Sequence, residues 1–302
     1  MGIKHWIGQS FFDFAYGIIY REREEMLLCD LETGSDNEVF HLLKPSFRFW
    51  YADPVALRFQ EEDYVLCEVY DRIKQKGVIG ACLYKNGKLK KPRIILEEPF
   101  HLSFPSTFCL GKETFMIPEC SEIGQIRIYQ LTDGLTPKLV RNFNLNEPCV
   151  DTVVFVKQNK VYFLTCIINK TNPKKTRLRL FVTENIFDGE LKEIVLDNKL
   201  REDSYFIRNG GPILEAQKGW IRILQESTET EYGHNLIIRY IKNLSEEGLI
   251  EEKGRLITID DYHMKWPLTY RKQGTHTYGF NRKLEVADIS FNRFHLGNFW
   301  MK

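Results

Sequence analysis

Short runs of β-branched and aromatic residues, bounded by polar turns, recur along the chain from about residue 47 to residue 290. Helical periodicity is scarce over the same stretch, so the pattern predicts an all-β protein. Ala52 to Phe59 reads as a first strand, Gln60 to Asp63 as a polar turn, and Tyr64 to Glu68 as a second strand. Whether this hairpin repeats is the next question, because a repeat determines the whole architecture.

The hairpin returns four more times, with first strands that begin near Phe104, Val150, Arg208 and Gly274. A third strand is predicted after each of the first four hairpins, at Ile79 to Tyr84, Gln125 to Tyr129, Leu178 to Val182 and Leu236 to Tyr240. A fourth, outer strand is predicted at Ile94 to Leu96, Leu139 to Arg141, Ile194 to Leu196 and Leu256 to Ile259. Four-stranded units repeated about an axis are typical of a β-propeller, and five units predict five blades.

The fifth unit has little sequence left after its hairpin. We therefore expect the N-terminal segment around Trp6 to Gln9 to join the fifth blade and close the ring, which removes the exposed sheet edges of an open array. The stretches Thr33 to Asn37, Asn169 to Thr176 and Asn198 to Ser204 are predicted to be insertions within the repeat rather than linkers. The sequence thus predicts a single propeller domain over residues 1–302.

Composition mainly excludes other classes of protein. The 302 residues are 43% hydrophobic and 27% charged, which excludes a disordered chain, and 42 basic against 41 acidic side chains give no electrostatic case for nucleic acid. Neither an apolar stretch of roughly eighteen residues nor a secretory signal is visible, so we expect no membrane span and a cytoplasmic location. The seven cysteines form no C-x-x-C pair and are expected to be buried, reduced thiols.

The order of strands within a blade brings together polar residues that lie far apart in sequence. The first strand lies innermost and the second returns antiparallel to it, so the start of the first and the end of the second share one rim. The starts supply Asp53, Pro105-Ser106, Asp151, Arg208-Asn209 and His276, and the ends supply Glu68, Glu119, Gln225-Glu226 and Asp288. We expect these groups to meet at one mouth of a central funnel, while any single member could instead cap a turn.

Such a cluster suits chemistry on sugars. Carboxylates that face one another raise each other's pKa, so that an acid and a base can coexist near neutral pH, as transfer at an anomeric carbon requires. Arg208 could clamp a phosphate or carboxylate. No metal site is predicted, since His234 and His263 lack a paired ligand spacing. The aromatic residues expected near the mouth, either to stack on sugar rings or to pack between blades, are Phe47, Phe49, Trp50, Tyr51 and Phe104.

An ordered set of short motifs runs through the predicted blades. Its members are Tyr51-Ala52-Asp53-Pro54, Phe104-Pro105-Ser106, Phe115-Met116-Ile117-Pro118-Glu119, Tyr232-Gly233 after Arg222 and Gln225, and Thr275-His276-Thr277-Tyr278. Over about residues 45 to 290 the set resembles a family of five-bladed propeller domains. That family includes the N-terminal domain of plant glucosamine inositolphosphorylceramide transferases and bacterial proteins encoded near surface-polysaccharide genes. The resemblance implies a propeller that acts on carbohydrate.

A more distant resemblance is to the five-bladed glycoside hydrolases that include arabinanases and invertases. It implies that Asp53, in a D-P motif, is a base or nucleophile, that Asp151 supports it, and that His276 lies near the axis, where it could hold a water or a cation. The acid that these hydrolases carry at the start of the fourth blade is absent, because Arg208-Asn209-Gly210-Gly211 stands there. An activated donor needs less proton donation to its leaving group, so this departure favours a transferase.

The sequence therefore predicts a glycosyltransferase that moves a sugar, with a furanose as one candidate, from an activated donor to a surface-polysaccharide acceptor. The expected catalytic residues are Asp53, Glu119 and Asp151, and the expected substrate-binding residues are Glu68, Arg208, Gln225, Tyr232, His276 and Asp288. A nucleotide sugar is the expected donor, and the need for a divalent metal is left open. Two alternatives remain: a glycoside hydrolase of the furanosidase type, and a propeller that binds carbohydrate without catalysis.

Overall fold

The five predicted repeats form five antiparallel sheets in the computed structural model, which describes residues 12–23, 26–31 and 39–294. The chain enters through β1 (Phe12–Glu22) and β2 (His41–Leu43), which belong to the last sheet. The first blade contains β3 (Phe49–Phe59), β4 (Glu62–Asp71), β5 (Lys76–Lys85), β6 (Lys88–Leu89) and β7 (Arg93–Leu96). The second contains β8 (Ser103–Leu110), β9 (Glu113–Glu119), β10 (Gln125–Thr132) and β11 (Thr136–Asn144).

The other three blades follow in chain order. The third contains β12 (Cys149–Lys157), β13 (Lys160–Ile168), β14 (Thr176–Thr183) and β15 (Lys192–Ile194). The fourth contains β16 (Leu214–Ala216), β17 (Gly219–Glu226), β18 (Asn235–Ser245) and β19 (Gly248–Ile257). The fifth joins β20 (Tyr270–Gly274), β21 (Tyr278–Phe280) and β22 (Leu284–Phe294) to β1 and β2. The predicted all-β, five-bladed propeller is thus confirmed.

Strand β1 closes the ring by pairing with β22. The two strands are antiparallel over their whole length, from Phe12 opposite Phe294 to Glu22 opposite Leu284. An N-terminal strand therefore completes the fifth blade, as the short fifth repeat predicts. The particular segment expected to do so, Trp6 to Gln9, lies outside the described residues.

In the second strand of each blade, consecutive residues pack against different neighbouring blades. In β9, for example, Met116 packs into the cluster shared with the first blade, whereas Ile117 packs into the cluster shared with the third. Strand side chains alternate between the two faces of a sheet, so a run of apolar residues is what a blade buried on both faces needs. The same pattern holds for Val65 and Leu66, Phe163 and Leu164, and Ile223 and Leu224.

Insertions and short helical turns account for much of the remaining chain. Asn169 to Thr176 contains a loop, as predicted, and the predicted insertion that begins at Asn198 contains one short helix, α1 (Asn198–Arg201). The third predicted insertion, Thr33 to Asn37, lies outside the described residues. Three 3₁₀ turns span Leu28–Asp30, Ser121–Ile123 and Ile259–Asp261. No helix within the described ranges is long and apolar enough to cross a membrane.

Two expectations need correction in detail. The seven cysteines are free thiols, but Cys109 is exposed while the other six are buried. The first strand of the fourth blade was expected from Arg208 to Leu214, yet β16 begins only at Leu214, and one isolated bridge pairs Asn209 with Leu224. The glycine pair Gly210-Gly211 explains the difference, because Gly211 has a φ of 154° and lies against the Tyr278 backbone, where a regular strand with side chains would not fit.

Candidate functional site

A β-bulge interrupts the innermost strand at the same place in each of the first three blades. The pairing register shifts between Ala52 and Val55, between Ser103 and Ser106, and between Val150 and Val153. Within these bulges Asp53, Phe104 and Asp151 adopt positive φ angles of 52°, 41° and 47°. Such conformations cost on the order of 1–3 kcal/mol each for residues other than glycine, so the surroundings must hold them. The equivalent of Asp53 in the second blade is thus Phe104, not Pro105.

Carboxylates hold these bulges, each reaching across from the preceding blade. Asp288 of the fifth blade accepts the Asp53 N–H at 3.0 Å, and Asp53 in turn accepts the Phe104 N–H at 3.1 Å. Glu119 of the second blade accepts the Asp151 N–H at 3.3 Å. Hydrogen bonds to a charged acceptor are stronger than neutral ones, and they offset the backbone strain. The polar residues at the mouth therefore join neighbouring blades as well as line a site.

A cavity of about 580 Å³ opens at this mouth, where sequence reasoning placed the funnel. Seven of the nine predicted site residues line it: Asp53, Glu68, Glu119, Asp151, Arg208, Tyr232 and His276. The other two were expected at the mouth but lie behind it. Gln225 donates to the Asn209 carbonyl at 2.8 Å, and Asp288 accepts backbone N–H groups. Their side chains support the lining, because their hydrogen bonds go to the protein.

His276 and Asp288 form a buried ion pair beside Asp53. His276 Nδ1 lies 2.6 Å from Asp288 Oδ2, and the ring stacks on Tyr16 with centroids 4.5 Å apart. Burial opposes the charged imidazole, but the Asp288 carboxylate outweighs it and raises the pKa of His276 to about 9. His276 therefore carries a positive charge at neutral pH.

Among the described residues, the same three side chains form the one cluster that could hold a metal ion. Ligand atoms of Asp53, His276 and Asp288 all lie within 4.8 Å of one another. Both oxygens of Asp288 already accept protein donors, however: Oδ1 accepts the His276 and Thr277 N–H groups, and Oδ2 accepts the Asp53 N–H. A protonated His276 next to them supplies the positive charge that a metal would bring. The donor set fits an imidazolium better than a metal ion.

Arg208 joins the two carboxylates on the opposite side of the cavity. Its Nε donates to Asp151, its Nη2 lies 3.5 Å from Glu119 Oε2, and its guanidinium lies over the Tyr232 ring at 5.0 Å. Burial raises the pKa of Asp151 to about 7, with Glu119 adding to the rise and Arg208 opposing it.

His101 also lines the cavity, although no sequence pattern pointed to it. It lies in the connection between β7 and β8, outside the repeated hairpin, and its Nε2 is 3.3 Å from Glu68 Oε1. The Gly77 N–H donates to His101 Nδ1 at 3.0 Å. Burial raises the pKa of Glu68, and the neighbouring His101 opposes the rise.

The aromatic wall of the cavity differs from the one expected. Its lining residues are Phe14, Tyr16, Trp50, Tyr70 and Tyr232, and Trp50 stacks on Tyr70 with centroids 4.5 Å apart. Of the expected set, only Trp50 is among them. Tyr51 and Phe104 are buried in the clusters between blades, and Phe47 and Phe49 do not line the cavity. Strand alternation explains the outcome, since Trp50 and Tyr51 must face opposite sides of β3.

Fold and site together define a five-bladed β-propeller whose central cavity is lined by carboxylates and aromatic rings. The chain belongs to the family described as "Glucosamine inositolphosphorylceramide transferase 1, N-terminal", whose model matches residues 44–274. It is 31% identical over 115 residues to glucosamine inositolphosphorylceramide transferase 1 of Arabidopsis thaliana. That match covers 37% of this chain and only 15% of the plant protein.

Solved structures of carbohydrate-active enzymes share the fold. An exo-β-1,3-galactanase from Clostridium thermocellum superposes with a TM-score of 0.52 at 11% identity, covering 74% of this chain and 54% of the galactanase. A β-1,2-mannobiose phosphorylase from Listeria innocua gives 0.54 at 12%, covering 89% and 96%. A thermostable family-43 glycoside hydrolase gives 0.51 at 13%, covering 68% and 74%. At these identities the likeness concerns the fold alone.

Proposed function

We propose that this protein transfers a glycosyl unit from an activated donor, a nucleotide sugar, to a hydroxyl group of a surface glycan. The observation that carries the proposal is the meeting of four buried carboxyl groups, Arg208 and a ring of aromatic side chains around one cavity of about 580 Å³. Carboxyl groups serve reactions at an anomeric carbon, and exposed aromatic faces stack on sugar rings.

Asp53 is the central carboxylate of the proposed mechanism. Its Oδ1 accepts the Thr277 hydroxyl at 2.9 Å and its Oδ2 accepts the Phe104 N–H, so the side chain is fixed at the cavity wall. Burial raises the pKa of Asp53, while the charged His276 opposes the rise. A carboxylate held this way stabilises the positive charge that develops on a sugar ring as its leaving group departs, or attacks it as a nucleophile.

Arg208 has two roles in this proposal. It keeps Asp151 and Glu119 paired in the absence of substrate, and its guanidinium faces the cavity, where a leaving phosphate can compete with those carboxylates for it. An arginine stands at the fourth-blade position where the hydrolases carry their acid. A phosphate leaving group needs little protonation, which is why transfer is favoured over hydrolysis.

The decisive measurement is turnover by the purified protein. UDP-glucose, UDP-N-acetylglucosamine and UDP-galactofuranose are offered with octyl β-D-galactopyranoside as acceptor, and UDP release and the octyl disaccharide are both quantified. We expect turnover of at least one donor and a loss of about 100-fold in Asp53→Asn, since the charge is removed at constant shape. Glu61→Gln, a change at an exposed turn of the same blade, is the matched control.

Other outcomes would favour the alternatives. Release of nitrophenol from 4-nitrophenyl α-L-arabinofuranoside, without use of any nucleotide sugar, would overturn transfer in favour of hydrolysis. A rise in melting temperature with free oligosaccharides, unaccompanied by any turnover, would indicate a carbohydrate-binding propeller.

A further inference from the structure

Three of the four buried carboxyl groups that line the cavity are held by donors from the protein. Asp53 accepts from Thr277 and Phe104, Asp151 accepts from Arg208, and Glu119 accepts from Ser121 and from the Asp151 N–H. Asp53 and Glu119 thus have both oxygens occupied, and Asp151 is paired with a guanidinium through Oδ2. Such carboxylates are well placed to stabilise charge, but they are poorly placed to remove a proton from an incoming hydroxyl group. The fourth carboxyl group, Glu68, differs in this respect.

Glu68 lines the cavity, and one of its oxygens, Oε1, is enclosed by protein without a well-formed hydrogen bond from any described residue. The residue is only 4% exposed, and no described residue makes a hydrogen bond of good geometry to its Oε1. The nearest donor is His101 Nε2 at 3.3 Å. Because Oε1 is enclosed, the oxygen that a ligand in the cavity can reach is Oε2, which accepts no hydrogen bond from a described residue. Buried carboxyl groups without good donors are rare and costly in native proteins, which favours a site for a ligand.

The backbone determines which nitrogen of His101 carries the ring proton. The Gly77 N–H can only donate, so His101 Nδ1 must accept at their 3.0 Å contact and the ring proton is on Nε2. The Glu68 carboxylate raises the pKa of His101 against the effect of burial. A second ring proton would nevertheless place two N–H groups against each other at Nδ1, so we take the neutral ring as the resting state. Neutral His101 then supports the ionised form of Glu68.

Gly77 also supplies the room in which the pair sits. A Cβ atom on this glycine would lie 2.4 Å from Glu68 Oε1 and 2.8 Å from His101 Cε1. It would further lie 2.5 Å from the Leu102 carbonyl, which is backbone and cannot move aside cheaply. One residue of β5 thus fixes the histidine tautomer and leaves the space for the carboxylate beside it.

We propose that Glu68 is the general base of the transfer reaction and that His101 is its positioning residue. The inference rests on the proposed function. The acceptor's O–H bond breaks and its proton moves to Glu68, while the acceptor oxygen forms a bond to the anomeric carbon. The bond from that carbon to the phosphate oxygen breaks, and its electron pair leaves with the nucleoside diphosphate. Glu68 then returns the proton to solvent.

The first test is Glu68→Gln, which keeps the shape and removes the base. We expect kcat for UDP release in the presence of octyl β-D-galactopyranoside to fall by about 100-fold or more, with KM for the donor little changed. Glu61→Gln provides the control. A melting temperature at or above that of the parent protein shows that the variant is folded.

The second test is His101→Phe, which keeps a ring and removes the donor. We expect kcat to fall by about 10-fold and the acidic limb of the pH profile to move to higher pH, because ionised Glu68 loses its supporting N–H. The charged groups around the pair are Asp53 and His276 on the Glu68 side and Glu119 and Glu122 on the His101 side. In ¹⁵N NMR spectra of the parent protein, His101 should show the Nε2–H tautomer.

The possible results separate this inference from the function on which it rests. No turnover of any nucleotide sugar by the parent protein overturns the transferase proposal and, with it, the base. Turnover that is lost in Asp53→Asn but retained in Glu68→Gln overturns the base alone. A His101 ring protonated on Nδ1, or an unshifted pH profile in His101→Phe, overturns the positioning role.

Discussion

The two sides of the cavity are built on opposite principles. On one side Arg208 neutralises Asp151 and Glu119, and each of these carboxylates has protein donors. On the other side Glu68 has His101 as its neighbour and an oxygen without a good donor. The first side pairs its carboxyl groups with a cation and with donors, and the second leaves the carboxyl group of Glu68 without a good donor among the described residues. Proteins commonly accept such a cost where a ligand must bind.

Arg208→Ala removes the cation from the paired side of the cavity, and it should have the largest effect on stability. It leaves two buried carboxylates without their cation, and we expect the free energy of unfolding to fall by about 4 kcal/mol. Arg58→Ala, which removes a cation that is half exposed and pairs with Glu61 and Asp63, should cost far less, because solvent screens exposed ion pairs. Urea denaturation of both variants measures the contrast, and equal losses would contradict it.

Asp288→Asn tests the ion pair that lies between the two sides. The folded pKa of His276, about 9, lies above its ordinary value of 6.5, so the pair's contribution is complete below pH 6.5 and is lost as pH rises to about 9. We expect the variant to be less stable than the parent by about 3 kcal/mol at pH 6, with the gap narrowing towards pH 9. Denaturant titrations across that range measure the gap. A gap that stays constant with pH would rule out the charged pair.

Gly77→Ala disturbs the unsatisfied side through its backbone. Because the new methyl group meets the Leu102 carbonyl and Glu68, we expect a loss of about 2 kcal/mol of stability and a fall in turnover. Gly279→Ala is the matched control, since its nearest atom would be Pro212 Cδ at an ordinary 3.5 Å. Similar melting temperatures for the two variants would show that the space beside Glu68 is not restricted.

Glu68→Gln should have the smallest effect on stability, and in the opposite direction. The pKa of Glu68 is raised above its ordinary 4.5, so its ionised form costs free energy at neutral pH. The amide resembles the protonated acid, and we expect a gain of about 1 kcal/mol at pH 7 that disappears below pH 4.5. A loss of stability at pH 7 would mean that the two sides of the cavity are more alike than described.

Sequence reasoning recovered the ring because its signal is periodic. The pairs Leu66 and Met116, or Leu164 and Leu224, pack between blades because each second strand is apolar on both faces, and this appears directly in the chain as a repeated run. The starts and ends of those strands then placed Asp53, Asp151 and their neighbours at one mouth. Local patterns sufficed wherever the repeat itself carried the information.

What the sequence could not supply lies outside the repeat or depends on the bulges. His101 belongs to a connection, and Tyr16 to an N-terminal strand whose expected position was several residues earlier. The bulges turn Asp53 and Phe104 into the left-handed region, so their side chains do not follow simple alternation. Asp288 was expected to face a substrate, but its oxygens accept the backbone N–H groups of Asp53, His276 and Thr277.

The hydrogen bond that the Asp53 N–H donates to Asp288 can form only late in synthesis of the chain. Asp53 belongs to the first blade to leave the ribosome, but the acceptor that holds its bulge is on β22, which is made after four blades are complete. A nascent chain with four finished blades still lacks the centre of its cavity. A partly synthesised propeller therefore lacks the complete site, and the transfer proposed above requires the closed ring.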